Sequence, residues 1–172
     1  MATTYKVKLK GRREIASGTM AFHFEKPGGF SYKAGQFGDF TLVNPPETDA
    51  EGNTRAFTLA SAPCEGDLMV ATRIRDTAFK RVLKTMALET EILLNAPDGS
   101  LTLHSDARIP AVFLSGGIGV TPVRSIVLQA TTTSFPTRSS SSTRTEGPRT
   151  RHSWTNWRRR RSGIRISLSS VR

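Results

Sequence analysis

The chain has 172 residues, with 25 Lys and Arg against 14 Asp and Glu and a net charge of +11. This length allows one ordinary domain or two small ones, and no apolar run approaches the roughly 18 residues that span a bilayer. A single cysteine excludes an intrachain disulfide. The N-terminal segment 1–18 lacks the apolar core of a secretory signal. We therefore expect a cytoplasmic protein without a membrane segment, and the scattered histidines indicate no metal site.

Residues 1–107 contain short strand-like runs separated by turns. The predicted strands are Tyr5–Leu9, Met20–Phe24, Gly38–Val43, Arg55–Ala60, Leu68–Ile74 and Glu91–Leu94, with a further short run at Leu101–Leu103. One amphipathic helix is predicted at Ala78–Met86, and Asp76 or Thr77 can cap its start. Six or seven short strands with one helix predict an all-β antiparallel barrel.

The pattern changes after residue 107. Ala111–Leu114 is a continuous apolar run, which is typical of a strand buried on both faces. The glycine-rich turn Gly116-Gly117-Ile118-Gly119 follows, and Thr121 can cap a helix that has Pro122 at its first position. Residues 108–129 therefore predict the first strand and helix of a truncated α/β nucleotide-binding domain.

Residues 130–172 have a different composition. They hold 10 Arg, no Lys, one acidic residue and 18 Ser or Thr, so almost all of the net charge lies here. Because the segment has no apolar periodicity, it predicts a disordered tail. Arg158–Arg161 beside Trp154 and Trp157 would suit nucleic-acid binding by a genuine tail. A merely solvated tail and a segment translated out of frame are the other two interpretations.

The out-of-frame interpretation can be examined on the codons. If the last base of each codon is joined to the first two of the next, Trp154–Thr155 must give Asp and Asn156–Trp157 must give Leu. Codon choices elsewhere across Arg138–Arg158 are free, and they permit an apolar strand, a polar turn and the start of a helix. That is the unit which should follow in an α/β domain.

The stretch Arg55-Ala56-Phe57-Thr58 has residue types suited to a flavin nucleotide. An extended strand places Arg55 and Phe57 on one face and Thr58 on the other. The planar fork of Arg suits phosphate, the Phe ring offers a flat surface, and the Thr hydroxyl can serve a ring edge. A routine barrel strand with a surface Arg is the alternative interpretation of these four residues.

The order of RAFTLASAP, a strand, DTAFKRVL and SGGIGVTP resembles the ferredoxin–NADP⁺ reductase family over residues 5 to about 129. The resemblance implies an FAD-binding barrel in which Arg55-Ala56-Phe57-Thr58 binds FAD. Arg55 would hold the pyrophosphate, Phe57 would pack on the flavin without the usual Tyr hydroxyl, and Thr58 would lie near N5 as the catalytic residue.

The same resemblance implies two further sites. Asp76-Thr77-Ala78-Phe79 would form the second flavin loop, where a helix N-terminus and Lys80 favour an anion. Five residues would hold the pyrophosphate of NAD(P)H: Gly116, Gly117, Gly119, Thr121 and Pro122. The implied activity is hydride transfer from NAD(P)H to FAD, and then electron transfer to a ferredoxin- or flavodoxin-type acceptor protein. The truncated second domain implies an impaired enzyme.

A second hypothesis from another class remains open. The chain could be a flavin-barrel-like binding module whose Arg-rich tail binds nucleic acid, if residues 130–172 are genuine. Steep salt dependence of RNA or DNA binding, abolished by deletion of the tail, would distinguish it.

Overall fold

The computed structural model describes residues 2–106, 109 and 111–133, and the backbone of residues 166–170. The elements in chain order are β1 (Thr3–Ala16), β2 (Thr19–Glu25), β3 (Phe37–Leu42), β4 (Thr54–Thr58), β5 (Asp67–Arg73), α1 (Ala78–Thr85), β6 (Glu91–Asp98), β7 (Ala111–Ser115), a 3₁₀ turn (Gly117–Gly119), α2 (Val120–Thr133) and β8 (Ile166–Ser170). None of the described helices combines the length and the hydropathy that a transmembrane helix requires.

Six antiparallel strands form one sheet in the order β4-β3-β6-β1-β2-β5. The two edge strands meet just beyond the end of β4, where the Ala60 N–H donates to the Met69 carbonyl at 2.7 Å. The Met69 N–H donates in turn to the Ser61 hydroxyl at 3.0 Å. These bonds close the sheet, and the predicted antiparallel barrel with one helix is confirmed.

Strand β1 extends well beyond the predicted Tyr5–Leu9. Its first half pairs with β6 and its second half pairs with β2, with register irregularities after Leu9 and Glu14. The second half is mostly exposed, so its sequence lacks the alternation of apolar and polar residues that predicts a strand. At Leu101–Leu103 a strand is predicted but none forms, and Leu101 is 58% exposed.

The barrel interior is filled by large apolar side chains. Phe24 and Phe40 are buried with ring centroids 5.2 Å apart. Helix α1 covers the barrel through Phe79 and Leu83, which are each 1% exposed. The largest fully buried side chains are Phe22, Phe24, Phe40, Phe79, Leu9, Leu42, Leu59, Leu68, Leu83, Ile92 and Leu94, together with Ile126 of α2. Burial on this scale is the main favourable contribution to folding, at about 1.5–3 kcal/mol for each large side chain.

Helix α1 is capped differently from the prediction. Thr77 occupies the N-cap position, but its side chain makes no capping hydrogen bond. Asp76 points away, to Arg81. The cap comes from the loop between β3 and β4, where the Asp49 carboxylate accepts from the Ala78 N–H at 2.8 Å. A carboxylate at a helix N-terminus is stabilising because it meets unpaired N–H groups and the positive end of the helix dipole.

The second unit begins as predicted, with a strand, a glycine turn and a helix, but two details differ. Helix α2 starts at Val120, and the Thr121 hydroxyl donates to the Ile118 carbonyl at 3.0 Å instead of capping the helix. Strand β7 is not buried on both faces, because Val112 is 67% and Leu114 is 74% exposed. In the described part of the chain, no layer covers that face of β7.

Two described parts of residues 130–172, the segment predicted to be a disordered tail, have regular backbone structure. Helix α2 continues to Thr133, and the hydroxyls of Thr131 and Thr133 donate back to carbonyls in the preceding turn. Strand β8 pairs in parallel with β7 along its whole length. Ile166 and Leu168 alternate with serines in the sequence, a strand pattern that the Ser-rich composition obscured. Residues 134–165, where the proposed basic cluster and frame change fall, lie outside the described residues.

Helix α2 is fastened to the barrel by polar contacts. The Arg124 guanidinium binds both oxygens of Glu65, at 2.9 and 3.0 Å, and also donates to the Ala60 carbonyl at 2.7 Å. One residue on, the buried Ser125 hydroxyl donates to the Ser61 carbonyl at 2.6 Å. These contacts place the glycine turn that precedes α2 beside strand β5.

We expect the contact of Arg124 with Glu65 to weaken in acid. Arg124 holds the pKa of Glu65 below its usual value of about 4.3. The contribution to stability is therefore complete above the ordinary pKa of the carboxyl and is lost as the pH falls through the lowered one. Arg124→Met should cost about 1 kcal/mol of unfolding free energy at pH 7, because the pair is partly exposed. The measurement is denaturant unfolding at several pH values.

The difference between wild type and Arg124→Met should shrink below about pH 4. Arg12→Met is the matched control, since that guanidinium donates to the Met86 carbonyl and to no carboxylate in the described structure. A difference for Arg124→Met that persists unchanged at low pH would contradict the ionic origin of the contact.

Candidate functional site

A cleft of about 370 Å³ lies where β4, β5, the start of α1 and the start of α2 meet. Its lining residues are Glu51, Arg55, Ala56, Phe57, Thr58, Ala71, Thr72, Arg75, Thr77, Lys80, Ile118 and Thr121. All four residues of the predicted flavin stretch are among them. The cleft therefore joins the barrel to the first turn of the second unit.

Arg55 lies at one end of the cleft with a side chain that is only 17% exposed. Its Nη1 donates to the carbonyls of Glu51 and Gly52 in the loop before β4 and of Thr54 at the start of β4, at 2.7–3.1 Å. Its Nη2 faces two carboxylates, Glu51 at 2.8 Å and Asp49 at 3.4 Å. The guanidinium is thus held in place by the loop that precedes its own strand.

Phe57 forms the aromatic wall of the cleft. It is half-buried, and its ring lies 5.8 Å from the rings of both Phe40 and Phe79. The Arg55 guanidinium stands 5.3 Å from the centroid of Phe79, an attractive arrangement for a cation over a ring. The Phe79 ring therefore contacts both the Phe57 ring and the Arg55 guanidinium.

Three cations line the cleft: Arg55, Arg75 and Lys80. Burial lowers the pKa of Lys80, and the neighbouring charges of Arg75 and Arg55 lower it further. Lys80 donates one hydrogen bond, to the Arg73 carbonyl at 2.8 Å. An anion in the cleft would relieve this mutual repulsion, so the electrostatics favour a negatively charged ligand.

The Thr77 hydroxyl is buried and has no hydrogen-bond partner. It is the one such side-chain atom in the described structure, and its residue lines the cleft beside the N-terminus of α1. A buried hydroxyl without a partner costs about 1–3 kcal/mol. An acceptor bound in the cleft would remove this cost. The residues present therefore fit a flavin nucleotide, with cations and an unpaired donor for phosphate and an aromatic wall for a ring.

The other predicted site residues lie around the cleft without lining it. Ala78 and Phe79 are each 1% exposed, and the Phe79 ring packs behind Phe57, while Asp76 is exposed and paired with Arg81. The glycine turn borders the cleft through Ile118, and Gly117 has a positive φ of 53° beside Arg73. The remaining predicted residues, Gly116, Gly119 and Pro122, are outside the lining.

Sequence reasoning missed five lining residues: Glu51, Ala71, Thr72, Arg75 and Ile118. Thr72 and Arg75 lie at the end of β5 and just beyond it. Their proximity to β4 depends on closure of the barrel, which no local pattern reveals. Thr121, which was assigned to the second unit alone, lies in the same cleft as Phe57 and Thr58.

The chain resembles proteins of known activity in sequence. An NAD(P)H-flavin reductase of Aliivibrio fischeri is 32% identical over 130 residues, which cover 70% of this chain and 51% of that protein. Methane monooxygenase component C of Methylosinus trichosporium is 33% identical over 101 residues, covering 58% of this chain and 29% of that protein. The chain thus spans about half or less of the length of these relatives. No protein-family model matches it.

The fold resembles solved structures over a similar range. A ferredoxin–NADP⁺ reductase from Neisseria gonorrhoeae, solved with bound FAD and NADP, aligns with a TM-score of 0.63 at 23% identity, covering 77% of this chain and 53% of that one. The FAD/NAD-binding domain of a nitric oxide dioxygenase from Vibrio cholerae aligns with a TM-score of 0.62. Over the aligned range the chain therefore has the fold of these reductase structures, and its sequence is similar to that of the NAD(P)H-flavin reductase.

Proposed function

We propose that the chain binds FAD in the cleft beside β4 and is the flavin-binding part of an NAD(P)H-dependent oxidoreductase. The observation that carries the proposal is the convergence of Arg55, Phe57, Thr58 and the unpaired Thr77 hydroxyl on one cleft. The relatedness to NAD(P)H-flavin reductases supports it. Bound FAD would supply the ring that accepts a hydride and passes electrons on one at a time.

Five of the lining residues have distinct parts in this proposal. Arg55 binds phosphate through its planar fork, and Lys80 with the Thr77 hydroxyl adds a second cation and a donor. Phe57 excludes water from one face of the ring. Thr58 presents its hydroxyl to the hydride-accepting edge of the ring, and so holds that edge in register with an incoming nicotinamide.

The nicotinamide dinucleotide would approach from the start of the second unit. Gly116, Gly117 and Gly119 allow close approach of a pyrophosphate to the backbone, and Thr121 and Pro122 begin the helix behind it. Thr121 already lines the flavin cleft. We propose that the acceptor of the electrons is a protein of the ferredoxin or flavodoxin type and that the reaction takes place in the cytoplasm.

The first test is whether the purified chain retains flavin. After incubation with excess FAD and removal of free ligand, we expect a yellow protein with micromolar affinity by fluorescence quenching. The second unit has only β7, α2 and β8 among the described residues, so we expect NAD(P)H-dependent dye reduction to be weak or absent. A chain that binds no FAD would refute the flavin site, and robust dye reduction would refute the impairment.

A further inference from the structure

Two carboxylates of the loop between β3 and β4 bind Arg55, which the proposed function assigns to phosphate, and the N-terminus of α1. Asp49 Oδ2 accepts from the Ala78 N–H at the start of α1 at 2.8 Å. Asp49 Oδ1 faces Arg55 Nη2 at 3.4 Å, and Glu51 Oε2 faces the same nitrogen at 2.8 Å. A helix N-terminus and an arginine fork are the partners that a phosphate seeks in proteins.

We propose that Asp49 and Glu51 act as an internal competitor for the cofactor phosphate, and that they set the preference of the site between phosphorylated and unphosphorylated flavins. The inference rests on the proposed flavin site and adds the residues that tune it. A phosphorylated flavin must displace these carboxylates to reach Arg55, whereas riboflavin needs only the aromatic wall and the ring-edge hydroxyl.

The charge state of the loop supports this competition. The Ala78 N–H, a hydrogen bond from the Glu51 N–H and the charge of Arg55 hold the pKa of Asp49 below its usual range, so the carboxylate is ionised at neutral pH. Glu51 lines the cleft itself and its side chain is 67% exposed, so it can swing away at little cost. The two carboxylates hold the Arg55 guanidinium against the loop between β3 and β4.

The neighbouring Glu47 supplies a matched control. It belongs to the same loop and carries the same charge, but it binds Arg81 on the outer face of α1 and does not line the cleft. Neutralising it changes the net charge of the loop by the same amount. Any effect common to the Glu47 and Glu51 variants is therefore a general charge effect, and the difference belongs to the contact with Arg55.

The experiment compares FAD, FMN and riboflavin binding to the full chain carrying Asp49→Asn, Glu51→Gln, both changes together, or Glu47→Gln. Asn still offers an oxygen to the Ala78 N–H, so the cap of α1 is kept while the charge is lost. We expect the double variant to bind FAD and FMN about tenfold or more tightly. Riboflavin affinity should stay within about twofold, and Glu47→Gln should behave as wild type.

Two results would overturn the inference. If Asp49→Asn and Glu51→Gln weaken FAD binding, the carboxylates position Arg55 for the phosphate and do not compete with it. If all three flavins tighten equally, the effect is not on phosphate. Thermal unfolding of each variant verifies that the fold is kept.

Binding of inorganic pyrophosphate distinguishes a failure of the proposed competition from a failure of the proposed flavin site. Pyrophosphate binding, measured by calorimetry, should also tighten about tenfold in the double variant. Tightening for pyrophosphate in a chain that binds no flavin would refute the flavin site and leave the competition standing. Binding of FAD without any tightening for FAD or pyrophosphate would leave the flavin site standing and refute the competition.

Discussion

We expect Arg55→Gln to lower the affinity of the chain for FAD by roughly 10- to 100-fold and to leave its affinity for riboflavin within about twofold. The reason is that hydrogen bonds between a guanidinium and a phosphate are charge-assisted and bidentate, and each is worth more than a neutral bond. Glutamine keeps a polar side chain of similar reach but has neither the charge nor the fork. Fluorescence titration with the two flavins measures the effect.

Two control variants make the Arg55 result interpretable. Arg81→Gln removes the same group from α1, but that side chain is paired with Glu47 and Asp76 outside the cleft, so flavin binding should not change. Arg55→Lys keeps the charge without the fork and should fall between wild type and Arg55→Gln. An equal loss for FAD and riboflavin in Arg55→Gln would show that the loop had collapsed, and would contradict a phosphate contact.

Phe79→Ala should lower the free energy of unfolding by about 3–5 kcal/mol, the usual cost of removing a fully buried aromatic ring. Phe79 is 1% exposed, and its ring contacts Phe57 and the Arg55 guanidinium. The substitution therefore removes ring contacts to the candidate site as well as buried volume from the core. Denaturant unfolding followed by circular dichroism measures it.

Phe79→Leu restores most of the buried volume and should recover most of the stability. It removes the ring under Arg55, so its FAD affinity should remain below that of wild type even where its fold is intact. Leu88→Ala is the surface control, because Leu88 is 53% exposed and should cost less than about 1 kcal/mol. A cost below 1 kcal/mol for Phe79→Ala would contradict its place in the core.

The elements that were predictable from the sequence are those whose apolar residues alternate or recur at helical spacing. Strands β2 and β5 alternate or are apolar throughout and are bounded by turns, so both were located within one residue at each end. The second half of β1 was missed because it is exposed on both faces, and exposed residues carry no periodic signal. The alternation of apolar and polar residues therefore indicates that a strand has a buried face, and it does not detect a strand that is exposed on both faces.

Some residues of the candidate site were likewise predictable from the sequence, and others were not. Arg55-Ala56-Phe57-Thr58 was predictable because four suitable residue types occur together in one strand. Asp49 lies in a polar turn, 29 residues before the amide that it caps, and nothing in a polar turn indicates such a partner. Helix capping from a distant loop depends on barrel closure, so it became visible only in the structure. The same is true of Arg75 in the cleft.

All six strands of the barrel and its covering helix lie between Thr3 and Asp98. During synthesis, domains tend to fold as units from the N-terminus onward. The barrel can therefore close, with Arg55 and Phe57 in place, before the ribosome releases the glycine turn and α2. A flavin could be captured at that stage, and the second unit would then fold against a site that is already filled.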